Sequence, residues 1–238
     1  MLSKLLLIWI LIHTVITTII VSIVLFFALL IKIFNRQFRC YYLPQIIIRI
    51  GSKLALIFHK IEIVGKANLQ RDRPQIIYAN HQSNLDILLF NCILDIPFCW
   101  LAKESLFRIP IFGWMLRELG FIPVIRDNTN RGTQSITEGI EKLKNNISVV
   151  IFPEGTWNGN ENIILPFKAG LYYLAKESNA TILPIKIIGT GRANPPDTLK
   201  LTLAKLKVII HPPIEAKDHV TEDKNAFLTE MREILQNI

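Results

Sequence analysis

The sequence is poor in the residues that build stapled or repetitive folds. Its 238 residues include only three cysteines (Cys40, Cys92 and Cys99), 11 glycines and 12 prolines, and 19% are charged. Three cysteines without close pairs give neither a disulfide framework nor a zinc-finger spacing, and fit a reducing compartment. Glycine and proline at this level, with no recurring period, exclude collagen-like and repeat architectures. Disorder is excluded as well, because 50% of the residues are hydrophobic and can bury a core. The length suits one domain with an appendage.

Acidic side chains are missing altogether from the first 60 residues, which carry seven basic ones: Lys4, Lys32, Arg36, Arg39, Arg49, Lys53 and Lys60. The net charge of +8 therefore sits almost wholly in this segment, leaving 20 basic against 19 acidic residues elsewhere. A nucleic-acid binder spreads its cations over a folded face, so no nucleic acid is expected. A cluster beside an apolar segment instead fits attraction to anionic lipid headgroups.

That apolar segment runs from Leu5 to Ile31 without a formal charge. As a helix it would be roughly 40 Å long against a hydrocarbon core of about 30 Å, so it can cross a bilayer if tilted. It is too long for a signal-peptide core and lacks a small-x-small cleavage site, so it is expected to be retained. Thr14, Thr18 and Ser22 recur at i+4 with His13 and Thr17 alongside, a weakly polar stripe suited to packing on another helix. A second helix, from about Gln45 to Phe58, would follow Pro44. Arg49, Ser52, Lys53 and Lys60 form its polar face and Ile46, Ile47, Ile50, Leu54 and Ile57 its apolar surface, the pattern of a helix in the membrane interface. If the first helix crosses, the positive-inside tendency puts the remainder in the cytoplasm; if both helices dip in from one face, that rule does not apply.

Beyond Ile61 short apolar runs alternate with helical stretches. Ile76–Ala79, Val149–Phe152, Ile182–Ile188 and Lys207–Ile210 read as buried strands. Helices are expected over 84–93, 113–118, 133–144, 170–176 and 223–236. The expected fold is therefore α/β, a mostly parallel central sheet flanked by helices and preceded by an N-terminal two-helix membrane module. Residues 1–60 would form the membrane-anchoring helices and 61–238 one further domain.

Several chemistries lack their central feature. There is no Gly-rich phosphate loop ending in Gly-Lys-Ser/Thr, no His-Glu-x-x-His and no Gly-x-Ser-x-Gly. Gly189-Thr-Gly191-Arg-Ala-Asn194 follows a strand, but it lacks the third glycine of a dinucleotide fingerprint, and Pro195-Pro196 forbids the receiving helix. His59, His211 and His219 have no convergent local ligands, so no metal is expected.

Chemistry is concentrated in two loops. After the strand at Ile76–Ala79 comes Asn80-His81-Gln82-Ser83-Asn84-Leu85-Asp86. Residues five apart diverge by about 140° on a helix, so His81 and Asp86 can meet only across a strand-to-helix turn. Ser83 or Asn84 would cap that turn, with Asp86 in the first helical turn folded back on His81. One imidazole nitrogen is then held by a carboxylate while the other faces out, as a general base requires. The second loop, Phe152-Pro153-Glu154-Gly155-Thr156, also follows a strand and would lie at the same carboxyl edge. There Glu154 and Thr156 can bind hydroxyls, and Gly155 lets backbone approach a ligand.

Asn80-His81-x-Ser83-x-x-Asp86 resembles the His-x4-Asp motif of the glycerolipid acyltransferases, and Phe152–Thr156 resembles their Phe-Pro-Glu-Gly-Thr-Arg-Ser motif. Lys103-Glu-Ser-Leu106 through Pro110-x-x-Gly113 and Gly120–Arg126 is similar to the second family block, and Ile182–Ile185 to the fourth. Phe167-Lys168-x-Gly170 matches the usual continuation. Taken whole, the chain resembles family members acting on 1-acyl-sn-glycerol 3-phosphate. The resemblance implies that His81 deprotonates the free hydroxyl of lysophosphatidic acid and that Asp86 orients His81. It implies further that Lys103 and Arg126, with Lys168, bind the phosphate and that Glu154, Gly155 and Thr156 position the glycerol. The implied co-substrate is acyl-coenzyme A or acyl-acyl carrier protein, with no cofactor or metal. The other implied partners are membrane lipids, with the catalytic domain on the cytoplasmic face.

One departure bears on the acceptor: Trp157-Asn158 stands where the family pattern has Arg-Ser. Trp cannot make the two-pronged phosphate contact of Arg. The alternatives are therefore an acceptor that is another lysolipid or a lipoamino acid and, in a different class, a non-catalytic membrane scaffold.

Overall fold

A computed structural model describes residues 2–34, 42–124, 129–158, 160, 162–198 and 200–238. Arg36, Arg39, Cys40 and Arg126 lie outside the described residues. The chain opens with α1 (Leu2–Phe34) and α2 (Tyr42–Ala55), then alternates through β1 (Lys60–Val64), β2 (Gln75–Ala79), α3 (Leu85–Ile93) and β3 (Phe98–Lys103). It continues with α4 (Phe112–Glu118), β4 (Ile122–Val124), α5 (Thr129–Lys144), β5 (Ser148–Ile151), α6 (Gly170–Ser178) and β6 (Thr181–Ile188). The last elements are α7 (Thr190–Ala193), β7 (Lys205–Ile210), α8 (Ala216–His219) and α9 (Lys224–Asn237).

The strands form one sheet in the order β1-β7-β6-β2-β5-β3-β4. Every neighbouring pair is parallel except β6 with β7, so the sheet is mostly parallel as expected. All five residues of β2 are buried, because the period of two sends alternate side chains into two covered faces. Ile77 and Ala79 join Leu89, Phe90 and Ile10 on the face carrying α1 and α3. Ile76 and Tyr78 join Leu171, Phe227 and Met231 on the face carrying α6 and α9. β2 lies between β5 and β6, so the chain leaving β2 emerges beside the chain leaving β5.

Three strands escape the sequence pattern. β1 alternates charged and apolar residues at the sheet edge, β3 carries Cys, Trp and Ala, and β4 is three residues long with a proline. β1 also takes Lys60 off the second helix, which ends at Ala55 rather than Phe58.

α1 and α2 form an antiparallel pair. Thr14 Oγ1 donates to the Ala55 carbonyl at 3.3 Å, and Leu25 clusters with Ile47 and Ile48. Halfway along, a Cβ on Gly51 would lie 2.4 Å from Val21 Cγ2, so only glycine permits this approach. Of the stripe expected at Thr14, Thr18 and Ser22, Thr14 meets α2 while the other two turn away from it. Thr18 and Ser22 are bonded to their own helix through the Thr14 and Thr18 carbonyls. Steps of four drift about 40° each on a 3.6-residue helix, whereas Ile10, Thr14, Val21 and Leu25 stay on the packed side. Part of the polar face of α2, Arg49 and Ser52, is turned inward, while Lys53 stays exposed. Arg49 donates to the Leu94 carbonyl at the end of α3 at 2.7 Å and Ser52 is buried, while Ile46, Ile50 and Leu54 are exposed. A guanidinium here satisfies a helix-terminal carbonyl and its partial negative charge, which explains the reversal.

Candidate active site

β2 ends at Ala79, and the buried Asn80 immediately locks the outgoing chain to β6. Its amide donates to the Ile187 carbonyl at 2.9 Å, and its carbonyl oxygen accepts the Ile187 N–H at 2.7 Å. The loop then turns into α3 under the control of Asp86. Asp86 Oδ2 accepts from the backbone N–H groups of Gln82 (2.7 Å) and Ser83 (2.9 Å) and lies 2.7 Å from His81 Nδ1. The first helical turn thereby folds back on the loop, while Ser83 Oγ accepts the Leu85 N–H at 3.2 Å. Asp86 is fully buried and the His81 side chain 13% exposed, so the carboxylate is shielded while the imidazole reaches the surface. With the carboxylate accepting Nδ1–H, the lone pair resides on Nε2, which has no hydrogen bond to the described residues.

The imidazole plane is set by aromatic rings. Phe152, leaving β5, stacks on His81 with centroids 4.0 Å apart and planes 5° from parallel. Trp100 stacks behind Phe152 at 5.2 Å, and Trp157 stands edge-on to His81 at 5.9 Å. A histidine clamped by a carboxylate and a ring has little rotamer freedom left.

Glu154 is placed beneath the site. It is 3% exposed, and its two oxygens accept the His81 N–H at 2.9 Å and the Leu165 N–H at 2.8 Å. Burial pushes its carboxyl pKa up, against the pull of those two N–H groups. Its geometry is that of a strut between the two loops. Gly155 takes φ 73°, a left-handed conformation that favours glycine, and the next residue, Thr156, is exposed. The Asn158 N–H returns to the His81 carbonyl at 2.7 Å.

The cations are more dispersed. Lys103 is exposed at the carboxyl end of β3, and Lys168, also exposed, donates its backbone N–H to the Pro153 carbonyl at 2.8 Å. Sequence reasoning missed the second support of the His81 loop, which comes from the discarded glycine string. Thr190 Oγ1 donates to Gln82 Oε1 at 3.1 Å, and Ser83 Oγ lies 3.2 Å from Asn194 Oδ1. Its position directly after β6, beside β2, was the available signal. No group of three or more His, Cys, Asp or Glu suited to a metal occurs among the described residues.

Comparison with known proteins places relatives beside this fold. A family model described as Acyltransferase matches residues 60–188. The chain is 32% identical over 191 residues to a chloroplastic 1-acyl-sn-glycerol-3-phosphate acyltransferase of Arabidopsis thaliana, covering 79% of this chain and 52% of that protein. It is also 32% identical over 167 residues to the enzyme of that name from Saccharomyces cerevisiae, covering 69% and 54%. The chain thus spans about half the length of these curated relatives. Among solved structures it resembles the 1-acyl-sn-glycerophosphate (LPA) acyltransferase PlsC of Thermotoga maritima, with a TM-score of 0.83, 26% identity and coverage of 99% and 95%.

Proposed function

The chain belongs to the acyltransferase family, and from that premise we propose that it transfers an acyl group from an acyl thioester to the sn-2 hydroxyl of 1-acyl-sn-glycerol 3-phosphate, forming phosphatidic acid. The observation that carries the reading is the His81–Asp86 pair, 2.7 Å apart with one partner buried and the other reaching the surface. Nε2 of His81 removes the hydroxyl proton as that oxygen attacks the thioester carbonyl. The tetrahedral intermediate expels the thiolate, which recovers the proton from His81. Asp86 stabilises the imidazolium formed between these steps. Base catalysis of this kind contributes about 10² to 10⁴ in rate, and holding both substrates together contributes the rest. The thiol leaving group belongs to coenzyme A or acyl carrier protein.

Lys103, Lys168 and Arg126 are the phosphate ligands in this reading. Lys103 ends β3 and Lys168 is bonded to the loop leaving β5, at the sheet's carboxyl edge where ligands of parallel α/β folds bind, and Arg126 follows β4 by two residues in sequence. Thr156 contacts the glycerol, Gly155 supplies the turn before Thr156, and Glu154 positions the loop carrying the base.

α1 is long and apolar enough to cross a membrane, with a candidate span at Ile8–Ala28. We place it instead within one leaflet, together with α2, and take the cytoplasmic side from the acyl thioester donor rather than from the positive-inside tendency. Both ends of the candidate span are fastened to the rest of the chain. Trp9 and His13 meet Phe58 at 5.0 Å, and Phe26 meets Trp114 at 5.5 Å.

The experiment is acylation of lysophosphatidic acid, a neutral monoacylglycerol and a lysophosphatidylcholine side by side, by the wild-type chain and His81→Ala. The expected result is turnover of lysophosphatidic acid that falls by about 10² to 10⁴ in the variant, with folding intact. Equal turnover by His81→Ala would reject the mechanism. Acylation of only the other acceptors would reject the substrate.

A further inference from the structure

The turn between β3 and α4 combines two features that acyl-transfer chemistry does not use. Ile109, Ile111 and Phe112 are 47%, 62% and 42% exposed, and Pro110 between them is exposed too, so four consecutive apolar residues face outward. Ile111 also holds φ 63° and ψ −58°, a conformation that a β-branched side chain rarely adopts. Hydrogen bonds fix the turn in this form. The Phe112 N–H donates to the Pro110 carbonyl at 2.6 Å, and the Gly113 N–H to the Ile109 carbonyl at 2.7 Å. In water the fold would gain by folding these side chains inward, or by carrying glycine or asparagine at 111. The frame instead holds apolar groups out.

What covers them follows from the neighbours. α4 continues directly from the turn, and its inner side packs on α1. Met115 and Leu119 cluster with Leu25, and the Trp114 and Phe26 rings meet edge to face. Away from that seam α1 exposes Ile20, Ile23 and Phe27. The turn and the exposed side of α1 thus belong to two elements packed on each other, and a single apolar medium can cover both. A lipid leaflet does so without requiring shape complementarity.

We propose that Ile109–Phe112 is a third membrane-contacting element, inserted as a rigid wedge into the leaflet that holds α1 and α2; this rests on the leaflet reading of those helices. The wedge follows Lys103, where β3 ends beside β5, the strand that exits into Glu154. Fixing this edge of the sheet as well as its α1 face would hold the His81 loop at headgroup level and stop the domain from rocking.

The test uses the full chain in a Cys40→Ser background, with nitrobenzoxadiazole attached at Ile111→Cys, Ile20→Cys or Thr229→Cys. The chain without an introduced cysteine measures background. Thr229 lies on α9, on the opposite face of the sheet. Each protein is bound to phosphatidylcholine–phosphatidylglycerol vesicles with brominated acyl chains. Quenching at 111 and 20 but not at 229 is expected. Quenching at 20 with none at 111 would overturn the wedge alone, and none at 20 would overturn the leaflet reading beneath it. A second measurement uses Ile109→Ser/Ile111→Asn/Phe112→Ser. Asparagine tolerates positive φ, so the Tm should hold. The KM for a lysolipid presented in vesicles should rise several-fold, with kcat on a short-chain soluble acceptor unchanged. An unaltered vesicle KM would overturn the proposal.

Discussion

Asp86 accepts three N–H groups through Oδ2 and leaves Oδ1 buried without a partner among the described residues. Asp86→Asn can therefore keep every contact by presenting its carbonyl oxygen where Oδ2 stands and its NH2 where Oδ1 stands. The buried unpaired amide costs about 1–3 kcal/mol, so the fold should survive while the charge that steadies the imidazolium is gone. We expect kcat to fall by about 10² to 10⁴ with circular dichroism and cooperative unfolding retained; unchanged kcat would remove Asp86 from the mechanism. Trp157 offers a separate handle on the acceptor. Standing 5.9 Å from the His81 ring, it is near enough to meet part of an acceptor held by His81. Trp157→Arg restores a two-pronged phosphate donor, which adds about 1.5–3 kcal/mol per charge-assisted hydrogen bond made. The ratio of kcat/KM for lysophosphatidic acid over lysophosphatidylcholine should rise by about tenfold or more, one order of magnitude per 1.4 kcal/mol. No change in that ratio would show that residue 157 does not read the headgroup. At this scale the sequence disclosed His81 and Asp86, because a five-residue spacing across a strand-to-helix turn has one natural closure. It did not disclose Glu154 as a strut, since the loop bearing Leu165 meets it only in three dimensions.

Among the elements, the strands with continuous apolar runs were legible, while the edge strands β1 and β4 and the Cys- and Trp-bearing β3 were not. β2, β5 and β6 are covered on both faces, so their apolar runs are continuous, whereas β1 alternates at the sheet edge and loses that signal. The α1–α2 pair shows the same limit in another form. The sequence showed two amphipathic helices, but which side of each faces the other depends on Gly51, where the helices come closest. Gly51→Ala puts a Cβ 2.4 Å from Val21 Cγ2. Overpacking of that kind costs about 1–3 kcal/mol, against about 1 kcal/mol gained from replacing glycine in a helix. The net expectation is a modest loss of thermal stability in detergent. Val21→Ala removes the clashing methyls, so the double variant should recover what Gly51→Ala loses, with a coupling of about 1–3 kcal/mol. Additive losses would mean that the two helices do not meet at these residues.

At the scale of the molecule, the question is how a domain with a basic, apolar amino-terminal segment sits against a bilayer. From Trp9 to Phe26 α1 rises about 25 Å, most of a hydrocarbon core. Over that length it touches Phe58, Ala55, Gly51, Ile47 and Trp114 in turn. Were α1 to cross the membrane upright, these partners would be carried across with it. Lys53, exposed two residues beyond Gly51, would then lie close to the bilayer centre, where a lysine costs about 2.5–3.5 kcal/mol on insertion scales. Arg49 and the end of α3 to which it is bonded would follow. With α1 lying along one leaflet, Ile12, Ile16, Ile19 and Ile23 can reach the acyl chains while Lys53 extends its ammonium to the headgroups. Length and hydropathy could not separate these cases, because a span and an embedded helix of this size have the same composition; the packing partners are the ground for proposing the embedded one. The measurement is protease accessibility in sealed inside-out vesicles, with one epitope at the amino terminus and another at the carboxyl terminus. Leaflet embedding predicts that both epitopes are digested from the cytoplasmic side without detergent. Protection of the amino-terminal epitope until detergent is added would establish a crossing helix, and the α1 contacts with Phe58 and Trp114 would then have to be broken in the membrane.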